Sequence, residues 1–130
     1  MTGLIVVTHA GLATSLIAAA TMITGSVELC EAVELHADDP ADEMVARIAA
    51  ALERVGSDGT IIMTDMFGGT PSNAAMSFLQ EGKVEVITGV NLPMMVEYFS
   101  RRERMAFDDL CASLLRSGRE SVIVAGEFLK

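Results

Sequence analysis

A histidine and an aspartate each stand at the end of a short apolar run in this sequence. His9 comes just after residues 3–7, and Asp65 directly follows residues 60–64. Neutral imidazole is a nucleophile near pH 7, and it works best when one ring nitrogen is held by a partner and the other keeps a free lone pair. A carboxylate can hold that nitrogen and stabilise the positive charge that develops on the ring. The pair therefore predicts nucleophilic catalysis at His9 with Asp65 as its partner, if the two runs are neighbouring strands.

A glycine-containing loop follows Asp65 and opens the next predicted helix. It contains Gly68, Gly69, Thr70 and Ser72. Glycines let backbone amides approach an anion, a helix N-terminus adds a partial positive charge, and the hydroxyl groups can donate hydrogen bonds. The segment 60–82 contains no lysine or arginine, which excludes a Walker A loop and disfavours a nucleoside triphosphate with Mg²⁺. The loop predicts a site for a single phosphoryl group held by neutral donors.

Further residues complete or weaken this hypothesis. Gly11, at the start of the first predicted helix, is a further candidate for phosphoryl binding. Each candidate also has a structural interpretation, because a lone histidine is more often structural, Asp65 can cap its own loop, and the glycines can form an ordinary turn.

His36 is interpreted as a solvated loop residue. The sequence has no zinc pattern of histidine pairs or Cys-x-x-Cys, so we expect no metal site and no cofactor.

The elements that must position these residues alternate between β-branched runs and helical patterns. Strands are predicted at 3–7, 27–35, 60–64, 84–88 and 121–125, and helices at 12–23, 40–55, 71–79, 92–99 and 107–115. Asp38-Asp39-Pro40 is expected to cap the second helix and Thr70 the third, and residues 56–59 break the second helix. This alternation predicts an open, doubly wound α/β fold, with four parallel strands in the order 2-1-3-4 and helices on both faces. Such folds bind ligands beyond the carboxyl ends of the strands, where His9 and Asp65 would meet.

Composition limits the function classes. The chain has 130 residues, of which 51% are hydrophobic and 21% charged, which predicts a single globular domain over residues 1–130. Its net charge of −9 disfavours binding to nucleic acid or to an anionic membrane. Cys30 and Cys111 are interpreted as reduced core thiols of a cytoplasmic protein. We expect neither a signal peptide nor a membrane span, and we interpret residues 101–104 as a solvated, charged helix end.

Three segments of the chain together resemble the enzyme IIA component of the mannose family, which belongs to the bacterial phosphoenolpyruvate-dependent sugar phosphotransferase system. These segments are Thr8-His9-Ala10-Gly11, Asp65-Met66-Phe67-Gly68-Gly69-Thr70-Pro71-Ser72-Asn73-Ala74-Ala75 and Thr88-Gly89-Val90-Asn91-Leu92-Pro93-Met94. Residues 107–110 and 118–120 are also similar to that family. The resemblance covers nearly the whole chain, and its second segment is highly specific.

The resemblance implies a phosphotransferase with a phosphohistidine intermediate. His9 would accept a phosphoryl group at Nε2 from the phosphocarrier protein HPr and pass it to a histidine of a IIB component, in support of sugar uptake. Asp65 would hold the other ring nitrogen, and Thr70 would contact the phosphoryl group. Because the chain stops at Lys130, we expect any IIB component to be a separate chain, with membrane IIC and IID components as further associates.

The resemblance also implies a homodimer. In that family the last strand lies antiparallel in the sheet of the partner subunit, and residues 121–125 match that strand. The predicted fold therefore includes a fifth, antiparallel C-terminal strand that is swapped between subunits. The loop at 68–71 favours the mannose type over the related phosphotransferase subunit that serves dihydroxyacetone kinase.

Two other functions remain open from the sequence. In a regulatory protein, the phosphorylation state of His9 would control the binding of another protein, and no sugar would be moved. A receiver-like signalling domain would instead be phosphorylated on Asp65. That class needs an acidic pair after the first strand to hold Mg²⁺, and this chain has Thr8 and His9 there.

Overall fold

Three runs rich in β-branched residues, and a fourth with Val33 as its one β-branched residue, form a parallel sheet. The strands are β1 (Gly3–His9), β2 (Cys30–Leu35), β3 (Thr60–Thr64) and β4 (Val84–Thr88), in the order β2-β1-β3-β4. The computed structural model describes residues 1–56 and 58–130, so Ser57, in the predicted break after the second helix, lies outside the described residues. The expected strand order and parallel pairing are confirmed.

The strand register brings the candidate residues to one edge of the sheet. Val7 of β1 pairs with Thr64 of β3, and His9 pairs with Leu35 of β2. All five residues of β3 and the first six of β1 are buried, because these central strands have neighbours on both sides and helices on both faces. His9 and Asp65 therefore leave the sheet side by side.

Helices cover both faces of the sheet, which confirms the doubly wound arrangement. The helices are α1 (Leu12–Thr24), α2 (Ala41–Val55), α3 (Thr70–Met76), α4 (Leu92–Arg101), α5 (Phe107–Glu120) and α6 (Ala125–Phe128). One core, beneath α1, α4 and α5, includes Leu4, Val6, Met63, Tyr98 and Leu114. The other core, beneath α2 and α3, includes Ile5, Val7, Met44, Ile48 and Ile62. Among the described residues, no helix has the length and apolar character that crossing a membrane requires.

Several element boundaries differ from the predicted ones. Strand β2 begins at Cys30 rather than at residue 27, and α3 ends at Met76 rather than at residue 79. Thr70 is the first residue of α3, and the residue that precedes this helix is Gly69, so the prediction of Thr70 as the cap was wrong. Asp39 does not cap α2 with its side chain. Its carboxylate instead accepts the backbone N–H of His36 at 2.9 Å.

The C-terminal segment is not a strand within the single chain. Residues 122–124 have no regular secondary structure, and Ala125 already belongs to the short helix α6. The predicted bounds of the fifth strand, 121–125, are therefore corrected. A strand needs a neighbouring backbone to supply its hydrogen bonds, and this segment pairs with none of the strands found among the described residues of its own chain. Its pairing with a partner subunit stays a prediction.

Arg102 corrects the prediction of a fully solvated charged segment at 101–104. Arg102 is only 5% exposed, and its guanidinium lies 5.2 Å from the ring centre of Tyr98 and 5.0 Å from that of Phe99. It donates to the Tyr98 hydroxyl oxygen at 3.1 Å and to the carbonyl oxygen of Glu28. Aromatic faces and these acceptors together make burial of the cation tolerable.

The two cysteines are free thiols that lie partly buried in the fold. Burial raises the pKa of Cys30 to about 12 and that of Cys111 to about 11. Both groups therefore remain protonated near neutral pH, which makes them poor nucleophiles.

Candidate active site

Asp65 holds His9 through a single carboxylate oxygen. Its Oδ2 lies 2.7 Å from Nδ1 of the His9 ring and accepts the backbone N–H of His9 at 2.9 Å. The other oxygen, Oδ1, accepts the N–H of Met66 at 3.0 Å. Because an ionised carboxylate can only accept, Nδ1 carries the hydrogen, and Nε2 of the neutral ring keeps its lone pair. The arrangement orients both the backbone and the ring of His9.

The electrostatics of the pair favour an ionised Asp65. Burial raises the pKa of its carboxyl group, but hydrogen bonds from the backbone and the ring of His9 lower it by more, so the net pKa lies below the ordinary value. The Asp65 side chain is 13% exposed, whereas that of His9 is 48% exposed. A negative charge is thus held behind a ring whose other edge is open to solvent.

Gly69 borders the edge of the ring that carries Nε2. A β-carbon at this position would lie 3.0 Å from Cε1 and 3.5 Å from Nε2 of His9. The φ of Gly69 is −90°, which any residue can adopt, so this glycine supplies space rather than conformational freedom. Gly68 is the opposite case, since its φ of +92° favours glycine and a β-carbon there would meet nothing within 4 Å.

Two hydroxyl residues of the loop have different environments. Thr70 lines a cavity together with His9. Ser72 is fully buried, and its Oγ accepts the N–H of Gly68 at 3.0 Å. The side chain has no exposed surface in this conformation, and its predicted contact with a phosphoryl group stays a prediction. Ser72 ties the loop together.

Gly11 lies against a carboxylate rather than against the His9 ring. It precedes α1, and a β-carbon there would lie 3.8 Å from Oε2 of Glu34. The same oxygen accepts the N–H of Thr14 at 3.2 Å in the first turn of α1. An anion beside Gly11 would meet a like charge, and the predicted role of Gly11 in phosphoryl binding stays a prediction.

A cavity of about 450 Å³ opens beside His9. The residues that line it are His9, Ala10, Leu35, His36, Ala37, Asp39, Ala41 and Thr70. The sequence interpretation missed His36 as part of this cavity, although its side chain is indeed exposed, at 62%. Its position directly after β2, at the same edge of the sheet as His9, was the signal that could have found it. Within residues 1–56 and 58–130, no group of three or more His, Cys, Asp or Glu side chains is placed to hold a metal ion.

Comparison with known proteins agrees with this geometry. Residues 3–115 match the family model described as "PTS system fructose IIA component", where PTS denotes the phosphotransferase system. The chain is 31% identical over 122 residues to the mannose-specific EIIAB component of Escherichia coli (strain K12), a match that covers 92% of this chain and 38% of that protein. It is also 29% identical to the sorbose-specific EIIA component of Lacticaseibacillus casei, over 90% of this chain and 86% of that protein.

Solved structures show the same fold. The mannose/sorbose specific IIA subunit from Enterococcus faecalis superposes with a TM-score of 0.85 at 30% identity, over 95% of this chain and 93% of that one. The EIIA component from Streptococcus agalactiae gives a TM-score of 0.89 at 21% identity, over 98% and 99% of the two chains. The chain therefore belongs to the family of phosphotransferase-system IIA components, as its three signature segments predict.

Proposed function

We propose that this chain is a phosphotransferase that relays a phosphoryl group through His9 in a sugar phosphotransferase system. Phospho-HPr is the donor, and a histidine of a IIB component is the acceptor. The observation that carries the proposal is the 2.7 Å contact between Asp65 Oδ2 and His9 Nδ1, which leaves Nε2 free beside the cavity. Membership of the IIA family supports the same reaction.

The transfer needs little from the protein beyond position and charge. The Nε2 lone pair of His9 attacks phosphorus, and the bond from phosphorus to the donor nitrogen breaks, with its electron pair returning to the donor. The hydrogen on Nδ1 stays between the ring and Asp65, whose negative charge offsets the positive charge that develops on the imidazole. Transfer to the IIB histidine is the same step in reverse. Positioning and electrostatic stabilisation therefore account for catalysis.

The absence of a permanent cation from the described lining of this cavity suits a carrier, which must hold its phosphoryl group and also release it. The described residues that line the cavity beside His9 include no lysine or arginine. A clamp of such residues would favour retention of the phosphoryl group. In this proposal Gly69 leaves room for the group, and the Thr70 hydroxyl donates to one of its oxygens.

The proposal includes a homodimer that acts in the cytoplasm. The strand β4 lies at an edge of the sheet, and a groove of about 640 Å³ runs beside it between β4 and α5. The C-terminal segment exposes large apolar side chains, namely Val122, Ile123, Val124, Phe128 and Leu129. Pairing of this segment with the β4 edge of a partner subunit would cover both surfaces.

Phosphorylation of the purified chain tests the proposed function. Incubation with phosphoenolpyruvate, enzyme I and HPr should add one phosphoryl group per chain, detected by intact mass. The linkage should be labile in acid and stable in alkali, as expected of phosphohistidine and not of an acyl phosphate. His9→Ala should abolish labelling while keeping the thermal midpoint of the wild type, which controls for misfolding. Full labelling of His9→Ala would reject the assignment and indicate Asp65 as the acceptor.

A further inference from the structure

The cavity beside His9 contains a second imidazole that the proposed transfer does not use. His36 directly follows β2 and lines this cavity together with His9 and Thr70. Its Nε2 lies 3.9 Å from Oε1 of Glu34, and its side chain is 62% exposed. The ring is therefore placed at the mouth of the cavity, next to a carboxylate and in contact with solvent.

Glu34 is held in place by helix α1. Its Oε2 accepts the N–H of Thr14 at 3.2 Å, and hydrogen bonding to Thr14 is the main reason that the pKa of Glu34 lies below its ordinary value. The carboxylate is thus ionised at neutral pH, and its other oxygen faces His36. Glu34 can pair with His36 whenever the imidazole carries a second proton.

The charged groups on the α2 side of His36 already have partners. Asp39 Oδ2 accepts the backbone N–H of His36 at 2.9 Å and lies 3.3 Å from Nη1 of Arg47. Arg47 also pairs with Glu43 at 2.7 Å and donates to the carbonyl oxygen of Glu34 at 2.8 Å. These contacts place the single cation Arg47 between the two carboxylates Asp39 and Glu43, so this group keeps a net negative charge.

The remaining charged groups nearby are also engaged. Asp65 contacts the ring of His9, and Arg54, which lines the neighbouring cavity, pairs with Glu31 at 2.7 Å. His36 is the second imidazole among the described residues that line the cavity beside His9, and imidazole is the type of side chain that can carry a positive charge near neutral pH. At neutral pH, a phosphoryl group on His9 would add a charge of about −2 to this cavity.

We propose that His36 is a positioning residue for the phosphorylated state: as an imidazolium paired with Glu34, it stabilises the phosphoryl group carried by His9. This inference rests on the proposed function of His9. No bond to phosphorus forms or breaks at His36, and its second proton is exchanged with solvent. Because imidazole changes charge between about pH 5 and 8, the stabilisation by His36 is expected toward the lower end of that range, measured against a variant that lacks the ring.

The test is the phosphoryl equilibrium with HPr, measured by intact mass at about pH 6 and about pH 8. His36→Gln removes the ionisable group, and His36→Arg makes the positive charge permanent. At the lower pH, we expect the equilibrium constant for phosphorylation of His36→Gln to be roughly 3–10-fold below that of the wild type, which is the size of effect of one partly screened charge. At the higher pH, the variant should match the wild type. His36→Arg should match the wild type at the lower pH and exceed it at the higher pH.

Comparison with the wild type at each pH cancels the titration of HPr and the intrinsic acid lability of phosphohistidine. Arg104→Gln is the control for net charge, since Arg104 is exposed, follows α4 and donates to the Ser100 carbonyl oxygen at 3.0 Å, outside the cavity. The inference is overturned if the phosphorylated fraction of His36→Gln, divided by that of the wild type, is the same at both pH values. It is also overturned if Arg104→Gln changes the phosphorylated fraction as much as His36→Gln does. In both cases phospho-His9 still forms, so the proposed function stands. If even the wild type is not phosphorylated on His9, the proposed function fails and this inference fails with it.

Discussion

Gly69 lies directly against the imidazole of His9, so that a β-carbon at position 69 would stand 3.0 Å from Cε1 and 3.5 Å from Nε2. The backbone of Gly69 has φ −90° and ψ 172°, an extended conformation open to any residue. The neighbouring Gly68 has φ +92° and open space around it. Gly69 is thus required because it leaves room for the His9 ring, and Gly68 because its backbone adopts a positive φ.

Gly69→Ala should therefore impair chemistry more than folding. We expect the thermal midpoint to stay near that of the wild type and phosphorylation of His9 to slow by about 10–100-fold, because a small displacement at the reacting atoms is costly. Gly68→Ala is the matched control, and it should lose about 1–2 kcal/mol of stability through its strained φ, with less effect on the rate per folded molecule. Single-turnover transfer from phospho-HPr measures the rate. A wild-type rate in Gly69→Ala would show that the ring has room to spare.

Asp65→Asn should keep the fold, since the two side chains have the same shape, and should slow phosphoryl transfer. Loss of one preorganised electrostatic partner costs about 10²–10³-fold in rate. If Asp65 acts only as a loop cap, stability would instead fall by about 0.5–2 kcal/mol with an unchanged rate per folded molecule. Thermal midpoints and single-turnover rates measured on one preparation separate these outcomes, and an unchanged rate would leave His9 without its proposed partner.

Acidification should remove the stabilisation that comes from Asp65 and Glu34. Their pKa values lie below the ordinary values in the folded chain, so the folded state binds fewer protons than the unfolded state in acid. Their contribution is fully present above about pH 5 and is lost as the pH falls below about 4. Urea midpoints of the wild type and Glu34→Gln should therefore differ at neutral pH and converge near pH 3. Glu120→Gln, at the exposed end of α5, serves as the control. A gap that persists undiminished in acid would argue against the ionic role of Glu34.

The proposed dimer predicts a specific effect of charge in the C-terminal segment. Val122 and Val124 are 76% and 69% exposed in the single chain. Changing both to aspartate should leave the fold of the subunit intact and abolish dimerisation, because carboxylates at a strand interface cannot be desolvated cheaply. Light scattering coupled to size-exclusion chromatography measures the assembly, and circular dichroism the fold. A wild-type monomer, or a double variant that still dimerises, would contradict the swapped strand.

Local patterns in the sequence were sufficient for much of the fold. The β-branched runs and the periodic helices are properties of adjacent residues, and the order of the four strands is one that is common in open α/β sheets. The juxtaposition of His9 and Asp65 could be inferred because β1 and β3 end at the same edge. The family resemblance pointed to the same two residues from a different kind of observation.

The sequence by itself determined that this is a doubly wound α/β chain with a histidine and an aspartate at the carboxyl edge of its sheet. Tertiary structure alone decided that Ser72 is buried behind its loop, that Glu34 lies against Gly11, and that Arg102 packs against aromatic rings. The physical reason is the separation of the partners: Arg102 and the Glu28 carbonyl stand 74 positions apart, and Glu34 and Thr14 stand 20 apart. Side-chain burial and charge pairing depend on which distant segments meet, and no local pattern encodes that.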